Sequence, residues 1–151
     1  MSEATIRAQI KTTLESVTGI GRVYDYRRTS RSVAKLLQLM RPDGETDVNG
    51  WSIYRDRCLT DRDSNLTLLR HHRFRISGLY QLSDADASEK TVQALCDTIF
   101  TDFLSDQTLG GTCLNSEPLQ VDSIDADDVE GTSYHVIEMS IVCHERVTET
   151  P

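Results

Sequence analysis

Apolar residues recur along the chain with two periods, and each period predicts a type of element. Residues 3–17 carry an apolar residue every three or four positions, which is typical of an amphipathic helix. The stripe consists of Ile6, Ile10, Leu14 and Val17. Ser2 is a suitable N-cap, and Gly19 and Gly21 predict the end of this helix.

The next part of the chain mixes short elements with turn signals. Residues 22–26 alternate and are rich in β-formers, which predicts a strand, whereas residues 31–40 fit a short helix. Pro42-Asp43-Gly44 predicts a turn. Asn49-Gly50 predicts a second tight turn before a strand that begins with residues 51–55.

A long hairpin follows, with its tip predicted at the wholly polar residues 60–65. The return strand, residues 72–82, shows the clearest alternation in the chain. One face carries His72, Phe74, Ile76, Gly78, Tyr80 and Leu82, and the other carries Arg73, Arg75 and Ser77.

A second long helix is predicted over residues 85–104, capped by Ser83 or Asp84. Its broad apolar face consists of Val92, Leu95, Cys96, Ile99, Phe100 and Phe103. Residues 119–124 and 134–147 then predict a closing hairpin.

This order predicts an α+β fold, a single domain over residues 1–151 with a mostly antiparallel sheet and two main helices packed on one side. The apolar faces predict that one set of side chains is buried between the second long helix and the sheet. The set is Phe74, Ile76, Leu95, Ile99, Phe103, Ile137, Met139 and Ile141.

Charge is distributed unevenly along the chain. The net charge of -8 argues against non-specific nucleic-acid binding, because phosphate contacts need clustered cations. Three cations are lysines and thirteen are arginines, concentrated between Arg22 and Arg75, while acidic residues dominate the C-terminal third. Such asymmetry suits head-to-tail association of identical copies, although two solvated faces would give the same pattern. The expected contact residues are Arg22, Arg27, Arg28, Arg31, Arg55, Arg57, Arg70, Arg73 and Arg75.

The four cysteines are widely separated and form no C-x-x-C pair, which favours free, mostly buried thiols. Cys113, in a glycine-rich loop, is the one thiol that we consider for catalysis. We expect no signal peptide and no membrane span, because the start lacks a basic stretch followed by an apolar one and no apolar run is long enough.

The other candidate motifs fail on spacing. Gly19-Ile20-Gly21 follows a helix and lacks the third glycine of a dinucleotide fingerprint. An EF-hand loop starting at Asp125 would place Glu130 and Val136 where glycine and glutamate are required. His71 and His72 point to opposite faces of a strand, as do His135 and His144, so neither pair chelates a metal. We therefore expect that the chain has no catalytic site. We also expect that it folds without zinc, calcium, nucleotide or any other cofactor.

Three segments resemble the tail terminator (tail completion) proteins of tailed bacteriophages and prophages. The first is the opening helix running into Val17–Asp25. The second is Arg73–Tyr80 and the following helix as far as Asp106, and the third is Thr108–Gly111 with the acidic closing hairpin that ends in Cys143-His144-Glu145. The segments occur in the family's order.

The resemblance implies a structural virion protein and not an enzyme. Tail terminators form a hexameric ring at the head-proximal end of the tail tube, where they stop tube growth and contact the connector below the portal. The implied partners are further copies of the chain, the tail tube protein and the head-closure or connector protein, with DNA passing through without specific binding. Asp125, Asp127 and Asp128 would then face the lumen, where acidity repels phosphate.

Two alternatives remain open from the sequence. One is another neck component, such as a head-closure or head-tail adaptor protein. The other is a small thiol-dependent enzyme or ligand-binding domain that uses Cys113 and a histidine. For a tail terminator or another neck component, the implied location is the tail or neck of the virion, and the host cytoplasm during assembly.

Overall fold

The computed structural model of the chain describes residues 1–129 and 131–150. Three helices and six strands lie within these residues. The helices are α1 (Glu3–Glu15), α2 (Val33–Leu39) and α3 (Ser88–Ser105). The strands are β1 (Arg22–Tyr24), β2 (Asn49–Ser64), β3 (Thr67–Gln81), β4 (Asn115–Ser116), β5 (Gln120–Val129) and β6 (Thr132–Thr148).

All six strands form one curled, mostly antiparallel sheet, which confirms the predicted α+β class. The order is β1-β2-β3-β6-β4, and β5 also pairs with β6. Only β1 and β2 run parallel. The long strand β6 therefore has β3 on one side and both β4 and β5 on the other.

The first helix matches its prediction closely. The Ser2 hydroxyl accepts a hydrogen bond from the Thr5 backbone N–H at 3.2 Å, and the Thr5 side chain accepts from the Ser2 N–H, which completes a capping box. The helix ends at Glu15, and Gly19 has a φ of +96°. Gly21 serves a different purpose, because a Cβ there would lie 2.1 Å from the Asn49 carbonyl oxygen.

The two long helices, α1 and α3, pack on one side of the sheet, which we call the core face. All eight side chains predicted to be buried together lie in this core, so that prediction is confirmed. Trp51 and Ile53 of β2 and the α1 stripe also belong to it.

The short helix α2 lies on the opposite side, which we call the outer face. Leu37 and Met40 form a second buried cluster there with Val48 and Tyr134, and Leu79 packs against it. Packing on one side is therefore correct for the two long helices and wrong for the third. The reason is that strand alternation turns Leu79 outward, and α2 covers the apolar surface that results.

Asn49-Gly50 is not a turn, so that prediction is wrong. Both residues begin β2, where Gly50 lies between Arg22 of β1 and Leu79 of β3. A Cβ on Gly50 would lie 2.6 Å from the Met40 Cα atom, so glycine here permits close approach of the α2 end. The predicted turn at Pro42–Gly44 is confirmed by the hydrogen bond from the Glu45 N–H to the Pro42 carbonyl, at 3.1 Å.

The polar residues 60–65 are mostly strand, which extends the predicted hairpin. β2 continues to Ser64 and β3 begins at Thr67, so only Asn65 and Leu66 form the tip. Pairing with β3, with a register shift between Arg62 and Ser64, supplies the backbone hydrogen bonds, and polar side chains on both faces are tolerated because this end is exposed.

The start of α3 also differs from the prediction. Neither Ser83 nor Asp84 caps the helix, since the N-cap position is Ala87, at a φ of 53°, without a side-chain cap. Instead the Ser83 N–H donates to the Ser88 hydroxyl at 2.8 Å. The apolar face is also narrower than predicted, because Phe100 is 37% exposed.

Candidate functional site

Two of the predicted interface arginines are bound within the chain. Arg73 donates two hydrogen bonds to the Asp56 carboxylate, at 2.8 and 2.7 Å, and Arg75 donates one at 3.0 Å. Arg75 also lies 3.5 Å from Asp122 of β5. The hydrogen bond from Arg73 is the main reason that the pKa of Asp56 falls from 3.8 to about 2. These two arginines therefore hold β2, β3 and β5 together on the outer face.

This arrangement gives a pH-dependent prediction for Asp56→Asn. A lowered carboxyl pKa in the folded state contributes stability that is present above 3.8 and is lost as the pH falls towards about 2. At neutral pH we expect the variant to lose about 1 kcal/mol, because solvent screens a partly exposed ion pair. Urea unfolding at neutral pH and at successive steps down to pH 2 measures both the stability loss at neutral pH and its dependence on pH.

The difference in the free energy of unfolding between wild type and Asp56→Asn should shrink as the pH falls from 3.8 towards about 2. Asp43→Asn is the matched control, because Asp43 pairs with Arg22 at 3.3 Å but its side chain is 97% exposed. A wild-type to Asp56→Asn difference that stays constant from neutral to acid pH would contradict this account.

A second arginine group stacks on tyrosines where β1 and β2 meet. The Arg27 guanidinium lies 4.9 Å from the centre of the Tyr54 ring, and that of Arg28 lies 4.7 Å from the Tyr24 ring. Arg22 lies 5.5 Å from the same Tyr24 ring. Cation–π contacts orient these side chains, while Arg22 also pairs with Asp43 and Arg28 donates to the Tyr26 hydroxyl.

The remaining predicted arginines are divided between the two faces of the sheet. Arg31 and Arg57 are exposed, and neither takes part in an ion pair among the described residues. Arg55 lies on the core face and donates to the His72 Nδ1 atom at 3.1 Å. Arg70 lies 3.6 Å from the Glu145 carboxylate.

Arg55 and Arg70 belong to a buried ionic cluster that the sequence reasoning missed. His72 is fully buried, and its Nε2 atom lies 2.7 Å from the Glu145 carboxylate. Because Arg55 can only donate to Nδ1, the His72 hydrogen is on Nε2 and is donated to Glu145. The cluster joins β2, β3 and β6, and its chemistry is that of a satisfied buried charge. Alternation alone could have placed His72 on the core face, but its partners lie far along the chain.

The outer face carries a row of acidic and histidine side chains that was also missed. The Nδ1 atoms of His71 and His144 lie 2.5 Å apart across the β3–β6 pair. The His71 Nε2 atom lies 2.9 Å from the Asp61 carboxylate, and the His144 Nε2 atom lies 3.7 Å from Glu117. His71 and His72 do face opposite ways, as predicted, but His71 meets a histidine 73 positions away.

Another histidine secures the start of α3. The His135 Nε2 atom lies 2.8 Å from the Ser88 hydroxyl, which also accepts the Ser83 N–H. Burial lowers the pKa of His135, against the opposing effect of Glu89. The contact ties β6 to Ser88, the first residue of α3, directly after Ala87, and holds the start of a helix that has no side-chain cap.

The cysteines are all free, and three of the four are buried. Burial raises the pKa of the Cys96 thiol to about 11. Cys113 is 2% exposed, and its thiol donates to the Thr108 carbonyl oxygen at 3.5 Å. Its hydrogen bond with Cys143 lowers the pKa of Cys113 and, together with burial, raises that of Cys143. None of the described hydrogen bonds of Cys113 involves a histidine.

The predicted acidic segment is a strand at the edge of the sheet. β5 carries four aspartates, and no lysine or arginine occurs between Lys90 and Arg146. Asp125 and Asp127 lie on one face of β5 and Asp128 on the other, all exposed. Asp128 contacts the Ser133 hydroxyl. Glu130, which the EF-hand count includes, lies outside the described residues.

Within the described residues, no three histidine, cysteine, aspartate or glutamate side chains converge to hold a metal ion. The same residues include no helix with the length and apolar character of a membrane span. Compared with models of known protein families, the chain matches none, and comparison with curated protein sequences gives no match either.

Proposed function

We propose that the chain is a structural ring subunit of the tail-terminator type, which caps the head-proximal end of a phage tail tube and joins it to the head connector. The proposal rests on the sequence resemblance and on one structural observation: exposed Arg57 on the β2 edge and the aspartates of β5 lie at opposite ends of one sheet. The geometry supports assembly more directly than chemistry, because Cys113, the thiol considered for catalysis, is buried.

Both ends of the sheet have unpaired edges. β1 pairs only with Gly50–Ser52 of β2, so the β2 edge beyond Ser52 has no partner among the described strands. Within the same residues, β5 pairs with β6 alone. Exposed edges with free N–H and C=O groups are templates for strand pairing. A second copy that places its β5 beside β2 would cover both edges.

The charges on the two edges are complementary. Arg27, Arg31 and Arg57 lie on or near the β1–β2 end, whereas Asp125 and Asp127 lie on β5. Neither aspartate takes part in an ion pair among the described residues. A contact between different edges of identical copies is heterologous, and such contacts form a closed ring when the rotation permits.

Apolar side chains at the surface would add to this contact. Phe100 and Leu104, one turn apart on α3, are 37% and 45% exposed. Val121 on β5 and Leu59 and Leu66 on the β2–β3 hairpin are also exposed. Because an exposed ion pair contributes only about 0–1 kcal/mol, a stable ring would need several such pairs together with apolar burial.

The acidity of β5 is also compatible with DNA passing through a ring. Aspartates that remain uncovered in the assembly would repel phosphate, so a duplex would slide without binding. The same surfaces would suit another neck component, and tail length separates the two possibilities. Loss of a terminator gives overlong tails, whereas loss of an adaptor leaves tails of normal length that are not joined to heads.

The charge contact gives a prediction for Arg31→Glu with Arg57→Glu. We expect each subunit contact to weaken at least tenfold, which corresponds to about 1.4 kcal/mol, because two attractions become repulsions. These arginines replace Arg73 and Arg75 as the test, since reversing that pair would break ion pairs with Asp56 inside one chain. Mass photometry across a dilution series measures the assembly.

The control is Lys11→Glu with Lys90→Glu, which changes the net charge equally on helices α1 and α3. Adding Asp125→Lys and Asp127→Lys to the arginine variant should restore assembly, because the attraction is then rebuilt in reverse. Equal assembly of the arginine and lysine variants would show that the charges do not form the contact.

The decisive experiment for the function is negative-stain imaging of the purified protein and of tails made without it. Rings of the protein and overlong tails are the expected results. A protein that stays monomeric at every concentration, alone and with tail tubes, would overturn the proposal.

A further inference from the structure

The contact between His71 and His144 on the outer face brings their Nδ1 atoms together. Asp61 can only accept, so the His71 hydrogen is on Nε2, 2.9 Å from that carboxylate. The His144 Nε2 atom lies 3.7 Å from Glu117, so the His144 hydrogen can be on either ring nitrogen. With that hydrogen on Nδ1 the two rings share a hydrogen bond across 2.5 Å, and with it on Nε2 both Nδ1 atoms present lone pairs to each other. A cation between the rings would stabilise the second arrangement.

We propose that His71 and His144 form a binding site for a late first-row divalent transition-metal ion, Zn²⁺, Ni²⁺ or Cu²⁺, held through the two Nδ1 atoms. Imidazole nitrogen is a preferred ligand for these ions. Metal-binding histidines typically donate their other ring N–H to a carboxylate, and Asp61 and Glu117 stand in those positions here. The proposal does not depend on the tail-terminator function.

The backbone holds the two ligands in place. His71 and His144 are directly opposite each other in the β3–β6 register. On the far side of β3, His71 pairs with Leu59, and on the far side of β6, His144 pairs with Asn115. The Leu114 N–H also donates to the His144 carbonyl at 2.8 Å. Both strands are therefore held by a neighbour on each side. The backbone of the two histidines is already ordered, so metal binding costs less conformational entropy.

The rings need only a small adjustment to admit an ion. With metal–nitrogen bonds of about 2.0–2.1 Å and a tetrahedral angle, the nitrogens would stand about 3.3 Å apart. Rotation of both side chains provides the difference from the observed 2.5 Å. The His71 and His144 side chains are 25% and 17% exposed, so an ion can enter and keep water in its other positions.

The surrounding charges favour a cation. Asp61 and Glu117 are the acidic groups in contact with the two histidines. Two arginines on the same face are already paired, since Arg73 binds Asp56 and Arg146 lies 3.9 Å from Asp63. With only two protein ligands the site would bind metal without being needed for folding.

The test uses untagged, chelator-treated protein and isothermal titration with Zn²⁺. We expect one ion per chain, and at least tenfold weaker binding for His71→Ala and for His144→Ala. The other histidines should contribute no background, because His72 is fully buried and His135 is 5% exposed. Circular dichroism shows that each variant is folded. Absence of saturable binding to wild type, or binding that survives both substitutions, would overturn the proposal.

Two further measurements separate the site from adventitious surface binding. The electron paramagnetic resonance spectrum of the Cu²⁺ complex should show coupling to two imidazole nitrogens, reduced to one in each histidine variant.

Asp61→Asn should weaken Zn²⁺ binding about tenfold. This is the lower end of the effect expected when a carboxylate that hydrogen-bonds a metal ligand is lost, because Asp61 is largely exposed. Asp63→Asn, on the same strand but paired with Arg146, is the matched control and should bind as wild type does. Equal affinities in the two aspartate variants would contradict the assigned role of Asp61.

Discussion

Replacing Ile99 with alanine should lower the free energy of unfolding by about 2–5 kcal/mol, the range for truncating a buried aliphatic side chain. Ile99 is fully buried on α3 and packs in the core between the two long helices and the sheet. The neighbours belong to regular elements that cannot all collapse into the space left behind. Urea unfolding followed by circular dichroism measures the loss.

Leu104→Ala is the matched control, since it removes an aliphatic side chain of the same size from the same helix. Leu104 is 45% exposed, so its loss should stay within about 0.5 kcal/mol of wild type, as is usual for surface positions. Similar losses in the two variants would mean that the apolar face of α3 is assigned wrongly.

Adding a single methyl group at Gly78 should destabilise the chain by about 1–3 kcal/mol, the usual effect of overpacking a core. A Cβ there would lie 2.4 Å from a carbon of the Trp51 ring, and Trp51 is fully buried. The two residues are directly opposite each other in the β2–β3 register. The indole therefore fills the space that a side chain at position 78 would need, and its Nε1–H donates to Asn49 at 2.9 Å.

A double-mutant cycle with Trp51→Leu tests that cause. Trp51→Leu is itself destabilising, but it removes the ring that the new methyl group meets, so Gly78→Ala should cost much less in that background. An unchanged cost would show that the penalty arises from something other than the Trp51 contact.

The structure changes how the arginine cluster is understood. In sequence, the nine arginines form one positively charged region, but in the fold they have several different roles. Arg73 and Arg75 bind Asp56, Arg55 contacts buried His72, and Arg31 and Arg57 remain exposed. Only the exposed members are suited to contacts with another copy. Charge composition therefore predicts the sign of a surface, while the fold decides which charges remain free to bind a partner.

Elements with a strong local signal were predictable from the sequence. The α1 stripe repeats every three or four residues behind a Ser2 cap, and the alternation in β3 and β6 identifies which side chains face the core. These signals are local, because helix and strand periods place successive side chains on defined faces whatever surrounds them. The antiparallel hairpins and the shared core of α3 and the sheet follow from the same patterns.

Other features depended on contacts between distant residues, and only the tertiary structure decided them. Asn49-Gly50 has the composition of a turn, yet β1, β3 and the end of α2 hold it in a strand. The His71–His144 contact joins residues 73 positions apart. No local period encodes that separation, because it is set by the register of β3 against β6. The sequence by itself determined which residues form the faces, and strand register determined which polar side chains meet on them.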